Sequence, residues 1–411
     1  MQTSVKLDHT VLALDGEHDV HALVEIAVPE REDDDNRAPL RLALVLDRSG
    51  SMAGQKLRVA KRCAAWLLDR LRSTDEIALV TYDDHVRLVA PLAPANGRTH
   101  AALARIGPGG STNLSGGWLK GLEALQGANG HGVRKILLLS DGLANVAVTD
   151  SVSLAALAAK GREQAIGTTT IGFGTDFDEE LMTAMADAGG GAAHFAETPD
   201  AAPAIFAQEL EGLTQVVAQN VSLEIRPHAA VEVLGVLNEY PHVPVAGGVQ
   251  VQLGDAFAGE RRRVVLALHV PHLAALGPVS VAELVLRYVA IGDEIAQHEV
   301  TIPVVANVVS AEEAASAVPD AEVREEVLIL RAAKARDEAI RLADEGNYGQ
   351  ARAMMLELRT ELRETGSPEL AAEADALELA DEHLAPASYS AGGRKNLHFD
   401  SWNRRRGRRQ S

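Results

Sequence analysis

The 411-residue chain is 46% hydrophobic and 24% charged, with a formal net charge of −19. Its length exceeds one core of ordinary size, so two or three domains are expected, and its acidity argues against general nucleic-acid binding by the body. No apolar run approaches the ~20 residues of a membrane span, and Met1–Asp8 shows no basic leader followed by an apolar stretch.

In chain order, Ser4–Pro29 alternates polar and apolar residues around Asp15-Gly16, which predicts a β-hairpin. Arg31–Asn36 is an acidic stretch without the glycine and distal glutamate of an EF-hand loop, and reads as a solvated loop. From Arg41 to about Leu213, strands alternate with helices, the pattern of an α/β, doubly wound, mostly parallel sheet. Its predicted strands are Leu42–Asp47, Ile77–Tyr82, Lys135–Ser140, Thr168–Phe173 and Ala192–Phe195, with Val86–Ala90 antiparallel at an edge. The helices between them are Gln55–Leu71, Asn113–Gln126, Leu154–Gln164, Asp178–Ala188 and Ala201–Leu213. Cys63, the single cysteine, shares a helical face with Val59, Ala60 and Leu67 and reads as a buried small hydrophobe. Without a disulfide or leader, a cytoplasmic protein is expected.

Beyond Gln215 the periodicity falls to two. Val221–Ile225, Val231–Leu234, Val249–Leu253, Arg263–Val270, Val279–Tyr288 and Glu299–Val305 predict an all-β sandwich module. An isolated hairpin is barely stable, so residues 1–38 are assigned to this module with 215–307, and the α/β domain, 39–214, is inserted into it. Residues 308–385 predict a helical bundle from Glu312–Glu345, Tyr348–Thr365 and Pro368–Leu384. Residues 386–411 form a basic tail, with seven Lys/Arg against one Asp between Arg394 and Arg409. Disorder is its default reading. Folding back onto the chain's own acidic surface and charge-driven contact with an acidic partner or nucleic acid are the alternatives.

The chemistry gathers at predicted strand ends. The apolar run Leu42–Leu46 ends in Asp47, followed by Ser49 and Ser51. Thr112 lies in the loop Gly109-Gly110-Ser111-Thr112, and a second buried strand ends in Asp141-Gly142. If the two strands are parallel neighbours, five oxygen groups converge at one sheet edge. Hard oxygen donors suit Mg²⁺, Ca²⁺ or Mn²⁺ rather than zinc or copper. A hydrolytic site would need a general base. Asp83, Asp84 and His85 are the nearby candidates, and Asp83-Asp84 reads instead as a solvated turn. Neither a Gly-x-Ser-x-Gly elbow nor a Walker loop occurs, so a non-enzyme is expected.

Asp47-x-Ser49-x-Ser51, Thr112 and Asp141 together resemble the metal-ion-dependent adhesion site of von Willebrand factor type A domains, here of bacterial cytosolic type. The stretches Asp75–Val80 and Ile171–Asp178 support the resemblance, which covers residues 40–213. It implies that Ser49, Ser51 and Thr112 bind the metal and that Asp47 and Asp141 act mostly through waters. It also implies a Mg²⁺ ion whose shell a partner protein's Asp or Glu completes, with Mn²⁺ and Ca²⁺ as alternatives. The function expected is a metal-dependent interaction module or scaffold. The alternative is a regulatory subunit of an AAA+ ATPase-driven maturation or metal-insertion complex. No membrane partner is expected, and nucleic acid only through Arg394–Arg409.

Overall fold

The computed structural model describes all residues except 32–36, 128–131, 229, 272, 274, 292–294, 385–388, 407 and 411. The acidic stretch near residue 34 therefore falls almost wholly outside the described residues. The chain opens with β1 (Gln2–Leu7), β2 (Val11–Ala13) and β3 (His18–Ala27). β1 and β3 pair antiparallel, with Leu7 opposite Ala22. Their connection is not the tight hairpin expected at Asp15-Gly16. It detours through β2, which pairs parallel with a strand of another sheet, and Asp15 turns back at φ 63°.

The α/β unit follows: β4 (Leu40–Asp47), α1 (Gln55–Leu68), β5 (Glu76–Tyr82), β6 (Val86–Ala93), α2 (Gly97–Ala104), α3 (Leu114–Gln126), β7 (Val133–Ser140), α4 (Ser151–Glu163), β8 (Ile166–Phe173), α5 (Glu179–Ala188), β9 (Gly190–Ala196) and α6 (Ala202–Thr214). The sheet runs β6-β5-β4-β7-β8-β9, parallel except for β6. β4 is apolar at successive positions because both its faces are covered. Leu42, Leu44 and Leu46 join a core with Leu57, Cys63 and Phe206, whereas Ala43 and Val45 join another with Trp118 and Leu122. Burial pushes the Cys63 thiol up to about 11, in keeping with a packing role. The chain leaves β4 for β5 on one side and later returns to β7 on the other, which opens a crevice beyond the carboxyl ends of β4 and β7. The short α2 was not expected; Asn96 caps it by accepting from the Arg98 and Thr99 amides.

Next come β10 (Val216–Pro227), β11 (Glu232–Val236), β12 (His242–Val245), β13 (Gly248–Phe257), β14 (Glu260–Val270), β15 (Gly277–Ile291) and β16 (Ile295–Val309). One sheet has the order β1-β3-β14-β11 and the other β12-β13-β10-β15-β16-β2. Their facing sides share a core of Val24, Leu266, Leu223, Leu284 and their neighbours. The α/β unit thus sits between two strands, β3 and β10, of one sandwich. The two bodies meet where the backbones of Gly190 (φ 67°) and Gly254 (φ 81°) touch; a Cβ on Gly254 would stand 2.9 Å from the Gly190 carbonyl oxygen. Only glycine fits there. Beside this contact, Lys135 of β7 forms a buried 2.7 Å ion pair with Asp255 of β13.

The helical region contains α7 (Ala311–Ala315), α8 (Ala321–Asp344), α9 (Tyr348–Glu364) and α10 (Pro368–His383). The single helix expected over Glu312–Glu345 is divided, because Pro319 cannot donate to the helical ladder and Asp320 caps a new start. No helix among the described residues is long and apolar enough to cross a membrane.

The tail corrects the expectation of disorder. Residues Ala391–Arg405 form α11, and Arg408–Gln410 form β17, paired with β14. Phe399 and Trp402 are buried in the same core as Trp118 and Met185 of the α/β unit. The tail's cations meet the chain's own carboxylates: Lys395 and Arg394 at Glu179, Arg404 at Glu373, Arg405 at Asp337 and Glu239. Of the three readings of this segment, folding back is the one the structure adopts, and these four cations are not free for nucleic acid.

His398 of α11 lies 3.3 Å from the Thr183 hydroxyl and edge-on to Phe399. Burial, reinforced by Arg394 and Lys395, pushes its ring down to about 4 from 6.5. The folded ring stays neutral where the unfolded one protonates, so this contribution to stability is complete above pH 6.5 and is lost as pH falls toward 4. Unfolding free energies from urea titrations at pH 7 and pH 4.5 should differ by roughly 2 kcal/mol less in His398→Asn than in the parent chain. Equal pH sensitivity in both would contradict the assignment.

Candidate metal centre

The crevice gathers the five residues singled out in the sequence. Asp47 ends β4, and its carboxylate accepts the Ser49 amide and the Ser140 hydroxyl, each at 2.8 Å. The chain then makes one 3₁₀ turn, Gly50–Met52, before α1, which sets the Ser49 and Ser51 hydroxyls 3.1 Å apart. Ser51 donates to Asp141 Oδ1 at 2.7 Å. Thr112 enters from the loop before α3, and a Cβ built on Gly142 would stand 3.5 Å from both its hydroxyl and that of Ser51. Asp47, Ser49, Thr112 and Asp141 are buried, whereas Ser51 is exposed. The oxygen cluster therefore opens to solvent at Ser51.

Several supporting residues were not foreseen. Asp83 is buried, not in a solvated turn. Its carboxylate pairs with Arg48 at 2.6 Å and accepts the Gly110 and His85 amides at 3.2 and 2.8 Å. This carboxylate lies so close to Gly109 that a Cβ there would overlap it at 1.8 Å. Asp83 thus clamps the Thr112 loop and leaves no room for a side chain at Gly109, while a Cβ on Gly110 would overlap Asp84 Oδ1 at 2.2 Å. Burial would raise its carboxyl, but these amides and Arg48 hold it below the usual range. Asp83, Asp84 and His85 do approach one another closely enough to hold an ion, yet Asp83 is already neutralised by Arg48. Asn145 fixes Thr112 from the other side, exchanging two backbone-directed bonds at 2.8 and 3.2 Å. Ser140 was visible only as the residue preceding Asp141, and Lys56 as one more lysine on an amphipathic helix.

Electrostatics favour a cation here. Asp47 and Asp141 are both fully buried. Lys56 reaches Asp141 Oδ2 at 2.5 Å, but no ion pair among the described residues reaches Asp47. Burial pushes the Asp47 carboxyl up to about 6, Asp141 adds to the rise, and the bonds from Ser49 and Ser140 only oppose it. Two buried carboxylates and three hydroxyls without soft ligands fit Mg²⁺, Mn²⁺ or Ca²⁺.

Residues 42–209 match the family model of the von Willebrand factor type A domain. The protein sll0103 of Synechocystis sp. is 29% identical over 278 residues, covering 64% of this chain and 65% of its own. YfbK of Escherichia coli is 30% identical over 207 residues, 49% of this chain and 36% of its own. The chain thus spans less than two thirds of these relatives. A solved von Willebrand factor type A protein from Catenulispora acidiphila superimposes over 97% of this chain and 96% of its own, with a TM-score of 0.76 at 18% identity. That likeness extends to the sandwich and the helices, and concerns fold.

Proposed function

We propose, from the premise that residues 42–209 form a von Willebrand factor type A domain, that this domain binds partner proteins through a divalent cation, without a chemical step. Asp47, Ser49, Ser51, Thr112 and Asp141 would hold the ion. The observation that carries this reading is the convergence of these five oxygen groups on a crevice that is open to solvent at Ser51.

A bound Mg²⁺ would supply an electrophilic centre that prefers octahedral oxygen ligation and keeps exchangeable positions. The chain's own part is positioning. Ser140 and the Ser49 amide orient Asp47, Asp83 and Asn145 fix the Thr112 loop, and the exposed Ser51 marks the side from which a partner's Asp or Glu would approach. Asp83 supports the reading of a binder, because Arg48 and two amides occupy its carboxylate, a nearby candidate for a base.

Calorimetric titration with Mg²⁺ tests this. Ser49→Ala/Ser51→Ala should bind Mg²⁺ at least about tenfold more weakly, the effect typical of disturbing a metal's surroundings. Its unfolding midpoint without metal should be close to the parent's. Undiminished Mg²⁺ binding by the double variant would sink the assignment.

A further inference from the structure

Lys56 pairs directly with a carboxylate of the crevice, Asp141, and a second carboxylate stands within its reach. Its ammonium donates to Asp141 Oδ2 at 2.5 Å, while Ser51 occupies Oδ1. On its other side stands Asp176 Oδ2, 3.8 Å away and on a carboxylate that is 76% exposed. The lysine stem passes over Gly174, where a Cβ would stand 3.1 Å from Lys56 Cε, so the side chain lies in a channel between the two carboxylates. α1 begins at Gln55, so Lys56 sits in its first turn, at the end of the helix where a positive charge gains nothing from the helix dipole. Helix stability therefore gives no reason for a lysine at this place. The Asp141 carboxylate does.

We infer that Lys56 is a tethered competitor for the charge of Asp141 that sets how tightly the crevice holds a divalent ion, and that it turns to Asp176 when the ion binds. This rests on the proposed metal reading. A monovalent and a divalent cation a few Å apart repel strongly at the effective dielectric of a protein surface. Held at Asp141, Lys56 would weaken ion binding; drawn to Asp176, it would permit it.

Mg²⁺ titrations of the full chain, by calorimetry and by Mg²⁺-induced shift of the melting temperature, test the inference. Lys56→Gln should bind Mg²⁺ at least about tenfold more tightly, and Mg²⁺ should raise its melting temperature more than the parent's. Asp176→Asn should weaken binding about threefold in the parent background and leave it unchanged in Lys56→Gln, because its influence passes through the lysine. Equal or weaker binding by Lys56→Gln would overturn the inference and leave the metal reading intact. An equal effect of Asp176→Asn in both backgrounds would make Asp176 a remote charge and overturn the turning of Lys56. If neither the parent nor Lys56→Gln binds Mg²⁺, the metal reading falls and takes this one with it.

Discussion

Methionine in place of Lys135 should lower the stability of the folded chain by about 3–5 kcal/mol, the cost of leaving a buried charge without its partner. Lys135 is 2% exposed, and its ammonium lies 2.7 Å from Asp255 Oδ2 across the junction of the α/β unit and the sandwich. Glu209 depends on it too. Burial would raise that carboxyl, but His194 and then Lys135 hold it below its usual range. Removing the lysine therefore strands Asp255 and leaves Glu209 with His194 as its cationic support. The companion variant Lys135→Met/Asp255→Leu removes both charges and should recover most of the loss. Urea unfolding of the two variants decides the matter. A single variant as stable as the parent would show that water reaches the pair.

Alanine in place of Trp402 should cost about 3–5 kcal/mol, the usual effect of truncating a large buried aromatic residue. The indole is 5% exposed and packs in the core shared with α3, α4 and α5. Its Nε1 donates to Asp187 at 3.0 Å, and the Arg406 guanidinium lies 4.6 Å from its ring centroid. Trp402→Phe keeps most of the contact area and should lose less than half as much. Differential scanning calorimetry would read both. A loss below about 0.5 kcal/mol for the alanine variant, the range of ordinary surface changes, would mean that α11 is not docked.

The candidate centre was legible because Asp47, Ser49, Ser51 and Asp141 end or follow strands that periodicity reveals, and Thr112 lies in a glycine-rich loop before a helix. Apolar runs ending in Asp47 and Asp141 place both carboxylates at one sheet edge once the strands are parallel neighbours, and Leu44 does lie opposite Leu137. The clamp was not legible. Asp83 reads as solvated until Arg48 and Gly110 are seen to close around it, and nothing in the spacing announces that. The tail misled for a similar reason. Its arginines and lysine look unpaired in a local window, whereas Glu179, Glu373 and Asp337 lie some 30 to 220 positions away. The break before α8 was readable, since Pro319 stands in the sequence, and the helical periodicity on either side masked it.

The placement of the α/β unit between β3 and β10 has a consequence for biosynthesis. Val24 of β3 pairs with Val264 of β14, so this ladder cannot form until residues more than half the chain apart have both been made. Every strand pair of the inserted unit, by contrast, closes within residues 40–196. Loop-closure entropy and vectorial emergence from the ribosome both favour the inserted unit as the first to fold. β3 would meanwhile wait as an unpaired edge, the kind of surface that chaperones hold and that aggregation exploits. Slow ribosome transit through residues 200–260 should therefore lower the yield of intact protein more than an equal delay anywhere earlier.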